Sequence, residues 1–307
     1  MAGFGLVMFF VNLNLNTRLR PTQPRARPRE PELEEEPAGF EMDLEHDVRP
    51  SPDYWNPDQP PAQSHRPEPT SICPDGMVVV EGLHCQTVVH QCVEYVSQRR
   101  DRCRKYVPQS RCLGKRTPKH FCIDAFEYPN REGEKPLVGV DYFGANDLCG
   151  HQGKRLCTSS EWELACEGNG LLPYPYGYVR DSSACNFDKP YIIPNDDAYA
   201  NPKTREAEIT RLDQREPAGN RSECVSSFGV RDMTGNVDEW VENESGLVDK
   251  APFRSGLKGG YWGPVRNRCR PMTVDHNQWH TGYQIGFRCC SDLPTVGVAL
   301  PVAPERQ

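Results

Sequence analysis

Fourteen cysteines, all between Cys73 and Cys290, are the chain's most numerous candidates for chemistry. A thiolate binds soft metals and attacks electrophiles, while two thiols in an oxidising compartment close a disulfide. No Cys-x-x-Cys pair occurs, and the spacings among Cys73, Cys85, Cys92, Cys103, Cys112 and Cys122 fit no zinc module. An even number without metal spacing points to disulfides. His276 and His280 stand four apart beside Asp275 and Trp279. On a helix they would share a face and suit a metal, but a loop with ordinary solvent-facing or hydrogen-bonded histidines is the reading taken. Asp124 and Glu127 would make a carboxylate pair, although surface placement beside a strand is the expectation. Asp232 and Glu239 flank Gly235-Asn236 and would cap a turn. The absence of His-Glu-x-x-His, Gly-x-Ser-x-Gly and a Walker A loop argues against zinc-protease, serine-hydrolase and P-loop chemistry.

Few regular elements are available to position these groups. Met77-Val-Val-Val-Glu81 reads as a strand, and Phe121–Tyr128 reads as another by its aromatic and branched content, closed by Pro129-Asn130. Asp141 is placed to cap a helix with Tyr142, Ala145 and Cys149 on one face, ending before Gly153. Thr158-Ser-Ser-Glu161 has the form of a capping box, with Trp162, Ala165 and Cys166 following at helical spacing and Gly168 as a stop. Residues 170–230, rich in Pro, Tyr, Asn and Asp, read as long ordered loops that need staples or bound ions. Gly259-Gly-Tyr-Trp262 and Tyr283–Cys290 read as short strands of a final sheet. The rings of Tyr174-Pro-Tyr-Gly-Tyr178 would stack on a peptide or sugar if exposed; packing inward over the disulfide core is the favoured alternative.

Composition sets the frame. Of 307 residues, the first seventy hold little to bury: residues 21–70 carry twelve of the 29 prolines, and ordering them would cost more entropy than burial returns. Arg18, Arg20, Arg25, Arg27 and Arg29 are followed by Glu30, Glu32, Glu34, Glu35 and Glu36, a block pattern of solvated linkers. The net charge of -7 gives no reason to expect nucleic acid as a partner. Residues 1–17 carry no charged side chain but are shorter than the roughly 20 apolar residues a membrane span needs. They are read as the remnant of a signal or anchor, through which the chain would associate with a membrane. The expected organisation is an apolar start (1–17), a disordered linker (18–70), a Cys-rich extension (71–118), a main domain (119–291) and a flexible tail (292–307).

Three segments carry a resemblance: Gly153-Lys-Arg-Leu-Cys-Thr-Ser-Ser-Glu-Trp-Glu-Leu-Ala-Cys166, Asp232-Met-Thr-Gly-Asn-Val-Asp-Glu-Trp240 and Gly286-Phe-Arg-Cys-Cys290. In type and order they resemble the formylglycine-generating enzyme, or sulfatase-modifying factor, family. The resemblance implies an α+β, C-type-lectin-like fold over about 119–291, with few regular elements, long loops and several disulfides. It also implies two bridges, Cys149–Cys289 and Cys166–Cys269, the second through the match of Arg266-Asn-Arg-Cys269 to a family run in which an aromatic replaces Asn267. Cys157, Cys185, Cys224 and Cys290 then permit three connectivities. Neighbouring strand residues face opposite ways, so Cys289 and Cys290 can anchor separate bridges; Cys157–Cys290 with Cys185–Cys224 is taken from the three, and the other two stay open. The six earlier cysteines would pair among themselves.

The family enzyme binds copper(I) through two cysteines five residues apart, shortly after Gly-Gly-Ser. Here Tyr261 replaces that serine. Counting from Gly259-Gly260 gives Pro264 and Cys269, which leaves one thiolate where copper(I) wants two. The register that pairs Cys269 with Cys166 is preferred, and it removes the copper segment altogether. For calcium, the resemblance assigns Asp232, Gly235, Val237 and Glu239, an oxygen set that suits the ion. A second set is Asn186, the Phe187 carbonyl and Asp213. Asp238 stands where the family usually has an aromatic.

The expected protein is therefore an exported, extracytoplasmic, calcium-stabilised binding or structural module without oxidase activity, taking a protein, peptide or glycan ligand. The alternative is a metal-dependent oxidase acting on protein cysteine, with copper at Cys269. A cytosolic zinc protein comes last, since it requires reduced cysteines.

Overall fold

Three valines after Met77 begin the first strand, as their branched side chains favour, and it runs to Cys85 as β1 (Met77–Cys85). The computed structural model describes residues 72–97, 102–244 and 254–293. The expectations for 1–17, for the linker at 18–70 and for the tail from 294 therefore lie outside the described residues. All described residues belong to one compact unit.

After β1 come β2 (Val88–Val89), β3 (Cys92–Tyr95), β4 (Cys103–Tyr106) and β5 (Arg111–Cys112). They pair as two small ladders, β2 with β5 and β3 with β4. Strands this short cannot hold themselves together, and Cys85–Cys112 and Cys92–Cys103 staple them. Then β6 (Arg116–Asp124) returns antiparallel along the whole of β1, with Cys73–Cys122 fastening the end of the pair.

Asp141 caps α1 (Tyr142–Gly150), its side chain accepting from the Gly144 amide at 2.8 Å, and Ala145 and Cys149 are buried. Two residues of β7 (Arg155–Leu156) lead into α2 (Ser159–Glu167), where both halves of the Thr158–Glu161 capping box are made. Gly168 ends the helix at φ +63°. The long stretch expected as loops also contains α3 (Asp196–Ala200) and α4 (Arg205–Leu212). Strands β8 (Asp238–Glu242), β9 (Ser255–Lys258), β10 (Met272–Thr273), β11 (Ile285–Phe287) and β12 (Cys289–Asp292) complete the chain.

Two four-stranded sheets result, ordered β1-β6-β12-β7 and β10-β9-β8-β11. The final strands differ from expectation in two ways. Gly259 and Gly260 both have positive φ, +86° and +73°, so Gly259–Trp262 turns away after β9 instead of forming a strand. Tyr283–Cys290 does not lie in one sheet. It divides at Arg288, β11 pairing parallel with β8 and β12 pairing with β6 and β7.

The core has two main parts. One gathers Trp162, Phe121, Ile123, Leu164 and the Cys157, Cys166, Cys269 and Cys290 sulfurs; the other gathers Trp240, Phe287, Ile285 and the Cys149 and Cys289 sulfurs. Each large apolar side chain taken fully out of water contributes on the order of 2 kcal/mol. Alternation on β12 sends Cys289 into the second part and Cys290 into the first.

A buried ionic network joins β1, α2 and β9. Lys258, fully buried, donates to Glu163 Oε1 at 2.7 Å and to the Arg270 carbonyl at 2.8 Å. Glu163 Oε2 meets His84 Nε2 at 2.8 Å and Arg270 Nη1 at 3.0 Å. Arg270 also grips Glu167 with two donors.

Candidate functional site

The turn before β8 concentrates unusual backbone. Asp232, Gly235 and Asn236 all lie at positive φ, +57°, +87° and +56°, a cost that non-glycine residues carry only when their surroundings fix them. A Cβ on Gly235 would come within 2.4 Å of the Asn186 carbonyl oxygen, so no other residue fits there. That carbonyl accepts the Asn236 amide at 2.8 Å. The Asn236 side chain is a hub. Its oxygen accepts from Asn186 Nδ2 and from the Glu216 amide, both at 2.9 Å. Its nitrogen donates to Glu127 Oε2 at 2.9 Å and to the Glu216 carbonyl at 3.3 Å.

Three carboxylates surround this turn without access to water. Asp232 is 4 % exposed and accepts the Gly219 amide at 2.7 Å. Glu239 is 1 % exposed, taking Arg288 Nε and Trp162 Nε1 on Oε2 at 2.7 and 2.8 Å, and Arg288 Nη2 on Oε1 at 2.7 Å. Glu127 is fully buried. Surface placement was expected for Glu127 and Asp124, and both expectations fail. The turn after β6 folds under β11 and β12, and Asp124 is likewise fully buried, where it accepts Lys154 Nζ at 2.7 Å and the Cys289 amide at 3.1 Å. Strand periodicity could not reveal this, because the covering chain comes from residues 109 positions later for Glu127 and 165 for Asp124.

Burial raises the Glu127 carboxyl well above its ordinary range, and the negative charges of Asp232 and Glu239 push the same way. Asp232 is pushed up to about 6, chiefly by burial. Two buried acceptors here have no hydrogen-bond donor: Glu127 Oε1 and Asn186 Oδ1. Buried acceptors are rarely left so, and oxygen atoms needing a positive partner are what calcium coordinates. Neither atom belongs to the set Asp232, Gly235, Val237 and Glu239, where Glu239 is bonded by Arg288 and Trp162 and Asp232 by the Gly219 amide. Among the described residues no three His, Cys, Asp or Glu side chains stand around one metal position.

The second expected set fits less well. Asp213 is already neutralised, bonded by Arg215 at 2.8 and 2.9 Å and by Lys135 at 3.0 Å. Although burial alone would raise it, those bonds hold it at about 2. Phe187 is buried beneath Arg180, and only Asn186 Oδ1 lacks a partner.

The region where copper ligands would stand is closed. Cys269 is fully buried and bonded to Cys166. The structure likewise joins Cys149 to Cys289, Cys157 to Cys290 and Cys185 to Cys224, the pairs the sequence reading chose. No free cysteine remains. Beyond Gly259-Gly260 the chain presents a shallow crevice lined by Tyr191, Leu212, Tyr261, Trp262 and Tyr283. Burial pushes the Asp238 carboxyl beside it up to about 7, while the Gly260 amide opposes the shift.

The remaining candidates do not converge on chemistry. His276 and His280 lie in a loop with rings stacked face to face, 4.0 Å between centroids and 5° between planes. Tyr174 packs inward at 1 % exposure, stacked on Tyr176 and bonded through its hydroxyl to the Cys103 carbonyl.

The sequence pattern of the sulfatase-modifying factor enzyme 1-like domain matches residues 89–293. The chain is 35% identical over 174 residues to the serine/threonine-protein kinase pkn1 of Chlamydia caviae, covering 52% of this chain and 24% of that one. It is 28% identical over 172 residues to the inactive C-alpha-formylglycine-generating enzyme 2 of Bos taurus, covering 52% and 50%. The chain thus spans a quarter to a half of the length of these relatives. Among solved structures, PvdO from Pseudomonas aeruginosa is similar over 71% of this chain and 94% of that one, with 18% identity and a TM-score of 0.46.

Proposed function

The chain belongs to the sulfatase-modifying factor enzyme 1-like family, and we propose that it is a non-oxidase member: an exported, calcium-stabilised binding or structural module. The observation that carries this reading is the Cys166–Cys269 bridge. Copper(I) requires thiolates, and the one cysteine in register with the family's copper pair is committed to a disulfide in the core. Its other register partner is Pro264. The alternative, a metal-dependent oxidase acting on protein cysteine, needs that bridge to open.

Seven disulfides in one compact unit support export, since they persist in oxidising compartments. No helix among the described residues is long and apolar enough to cross a membrane. Calcium is supported by the unpartnered oxygens and buried carboxylates around Asn236. In that role Asp232 and Glu239 would hold the ion with the Gly235 and Val237 carbonyls, and the ion would add positive charge to that which Arg288 already supplies to Glu239. Recognition of a protein, peptide or glycan is supported by Tyr191, Tyr261 and Tyr283 around their crevice, because loops on a rigid base present such rings without reorganising.

A disulfide map of thiol-blocked protein, read with copper(I) titration and turnover on a sulfatase-type cysteine peptide, tests the proposal. A Cys166–Cys269 peptide with no stoichiometric copper and no aldehyde product is expected. A free Cys269, one bound copper and aldehyde formation would establish the oxidase instead.

A further inference from the structure

The Cys-rich extension folds as one long ribbon. β1, β2 and β3 form its outgoing strand, and β4, β5 and β6 return antiparallel beside them with short breaks. The returning strand is strongly basic. Residues 102–120 hold seven Lys and Arg and no Asp or Glu, in a chain whose 43 acidic residues outnumber its 36 basic ones. Three of the seven are neutralised: Arg102 by Asp188 at 3.1 Å, Arg104 by Glu94 at 3.1 Å and Lys119 by Glu244 at 3.3 Å. Lys105 stands opposite Glu94, whose carboxylate Arg104 already holds. Arg111, Lys115 and Arg116 are exposed, with no carboxylate partner among the described residues. Nothing across the ribbon from them is acidic: Val89 faces Arg111, Cys85 faces Arg116, and Gln86 and Thr87 lie between.

This stretch is fixed in place. The Cys85–Cys112 bridge ties its two strands, and the bonds from the Gln86 amide to the Lys115 carbonyl and from the Leu113 amide to the Thr87 carbonyl, each 2.9 Å, hold them in register. Three cations along roughly 17 Å of strand make a row. A small anion is caught by donors that converge, whereas a row on a rigid strand matches a linear polymer with repeating charge. Val89 and Leu113, both exposed among these cations, offer apolar contact to the faces of sugar rings.

Resting on the reading of an exported binding module, we infer that this strand is a docking surface for a linear anionic polysaccharide, with Arg111, Lys115 and Arg116 meeting its sulfate or carboxylate groups. The guanidinium forks of Arg111 and Arg116 pair with either anion through two parallel bonds, and Lys115 adds a point charge. Nucleic acid is disfavoured, because neither 111–116 nor the facing 85–89 carries an aromatic ring for a base to stack on.

The test passes the full oxidised chain over immobilised heparin, polygalacturonate and single-stranded DNA as salt is raised. Binding to at least one polysaccharide, tighter than to DNA, is expected, and the tighter of the two polysaccharides identifies the anion as sulfate or carboxylate. Arg111→Gln, Lys115→Gln and Arg116→Gln combined should weaken that binding about tenfold or more and make its salt dependence shallower by about two released ions. Arg111→Lys with Arg116→Lys, which keeps the charge without the forks, should fall between. Arg131→Gln, Lys203→Gln and Arg254→Gln combined remove the same charge from exposed positions elsewhere and should leave the affinity unchanged. Melting temperatures and a disulfide map of each variant control for folding. An equal loss in this second triple variant would make the effect one of net charge and overturn the surface, and DNA held as tightly as the polysaccharides would overturn the glycan. A parent chain retained by neither polysaccharide overturns the inference, while the binding-module reading still stands or falls on the state of Cys269.

Discussion

Arg288 holds Glu239 through two parallel bonds, Nε to Oε2 and Nη2 to Oε1, each 2.7 Å, at the residue where the chain leaves one sheet for the other. Both are at most 1 % exposed. The pair therefore joins β8 to the crossing between β11 and β12, and removing one partner strands the other in the core. Arg288→Ala is expected to lower the unfolding free energy by about 3–5 kcal/mol, measured by urea denaturation under oxidising conditions. Arg288→Lys keeps the charge without the fork and should recover only part. A loss below about 1 kcal/mol for the alanine variant would mean the pair contributes little.

Gly235→Ala forces a side chain into positive φ and against the Asn186 carbonyl. The expected cost exceeds about 2 kcal/mol, read by urea denaturation under oxidising conditions. Gly153, also at positive φ but with open space around it, is the control: its alanine variant should lose only about 1 kcal/mol.

Stability against pH should peak near the ordinary carboxylate range because two residues on α2 act in opposite directions. Burial pushes Glu163 up, but Lys258, His84 and Arg270 outweigh it and hold it at about 2. A depressed carboxylate contributes stability above its unfolded value, near 4.5, and that contribution is lost as pH falls towards 2. Burial raises Glu167 to about 7 in spite of Arg270. Its contribution is present below the unfolded value and lost as pH rises towards 7. Glu163→Gln should flatten the acid limb of the stability curve and Glu167→Gln the limb between about 4.5 and 7, as read by chemical denaturation at fixed salt. Limbs that keep their slopes in both variants would refute the assignment.

Cys166→Ser frees Cys269 without exposing it. The bridge spans 103 positions, so its loss should cost about 2–5 kcal/mol. Because Cys269 is fully buried, the freed thiol should react with iodoacetamide only at the rate of global unfolding, about the same rate as core amide exchange. Labelling as fast as a peptide thiol would show an open site.

The sequence revealed whatever was local. Thr158 and Glu161 sit three apart, and their capping box forms; Asp141 caps α1 as placed; Cys289 and Cys290, as strand neighbours, face opposite parts of the core. What required distant chain stayed hidden. Asp124 and Glu127 end a strand that looks amphipathic until β12 and the turn around Asn236 cover it. Lys258 reads as a surface lysine in isolation, and only Glu163 and Arg270 make its burial tolerable. Helix α4 was missed because Arg205-Glu-Ala-Glu-Ile-Thr-Arg-Leu212 has just two large apolar residues, and only Leu212 is buried among them. The division at Arg288 escaped because Tyr283-Gln-Ile-Gly-Phe-Arg-Cys-Cys290 reads as one short strand and gives no sign of which sheet each half joins.

The placing of the bridges sets how far the chain can be drawn out under tension. Between Cys73 and Cys290, force bypasses most of the sequence. It passes from Cys73 to Cys122 and from Cys149 to Cys289 through sulfur, leaving the segment from 122 to 149 as the main extensible length. Fully stretched, that segment spans roughly 90–100 Å, against roughly 750 Å for the same stretch of reduced chain. Even with every strand and helix undone, the oxidised domain remains a short tether that an external load cannot unravel.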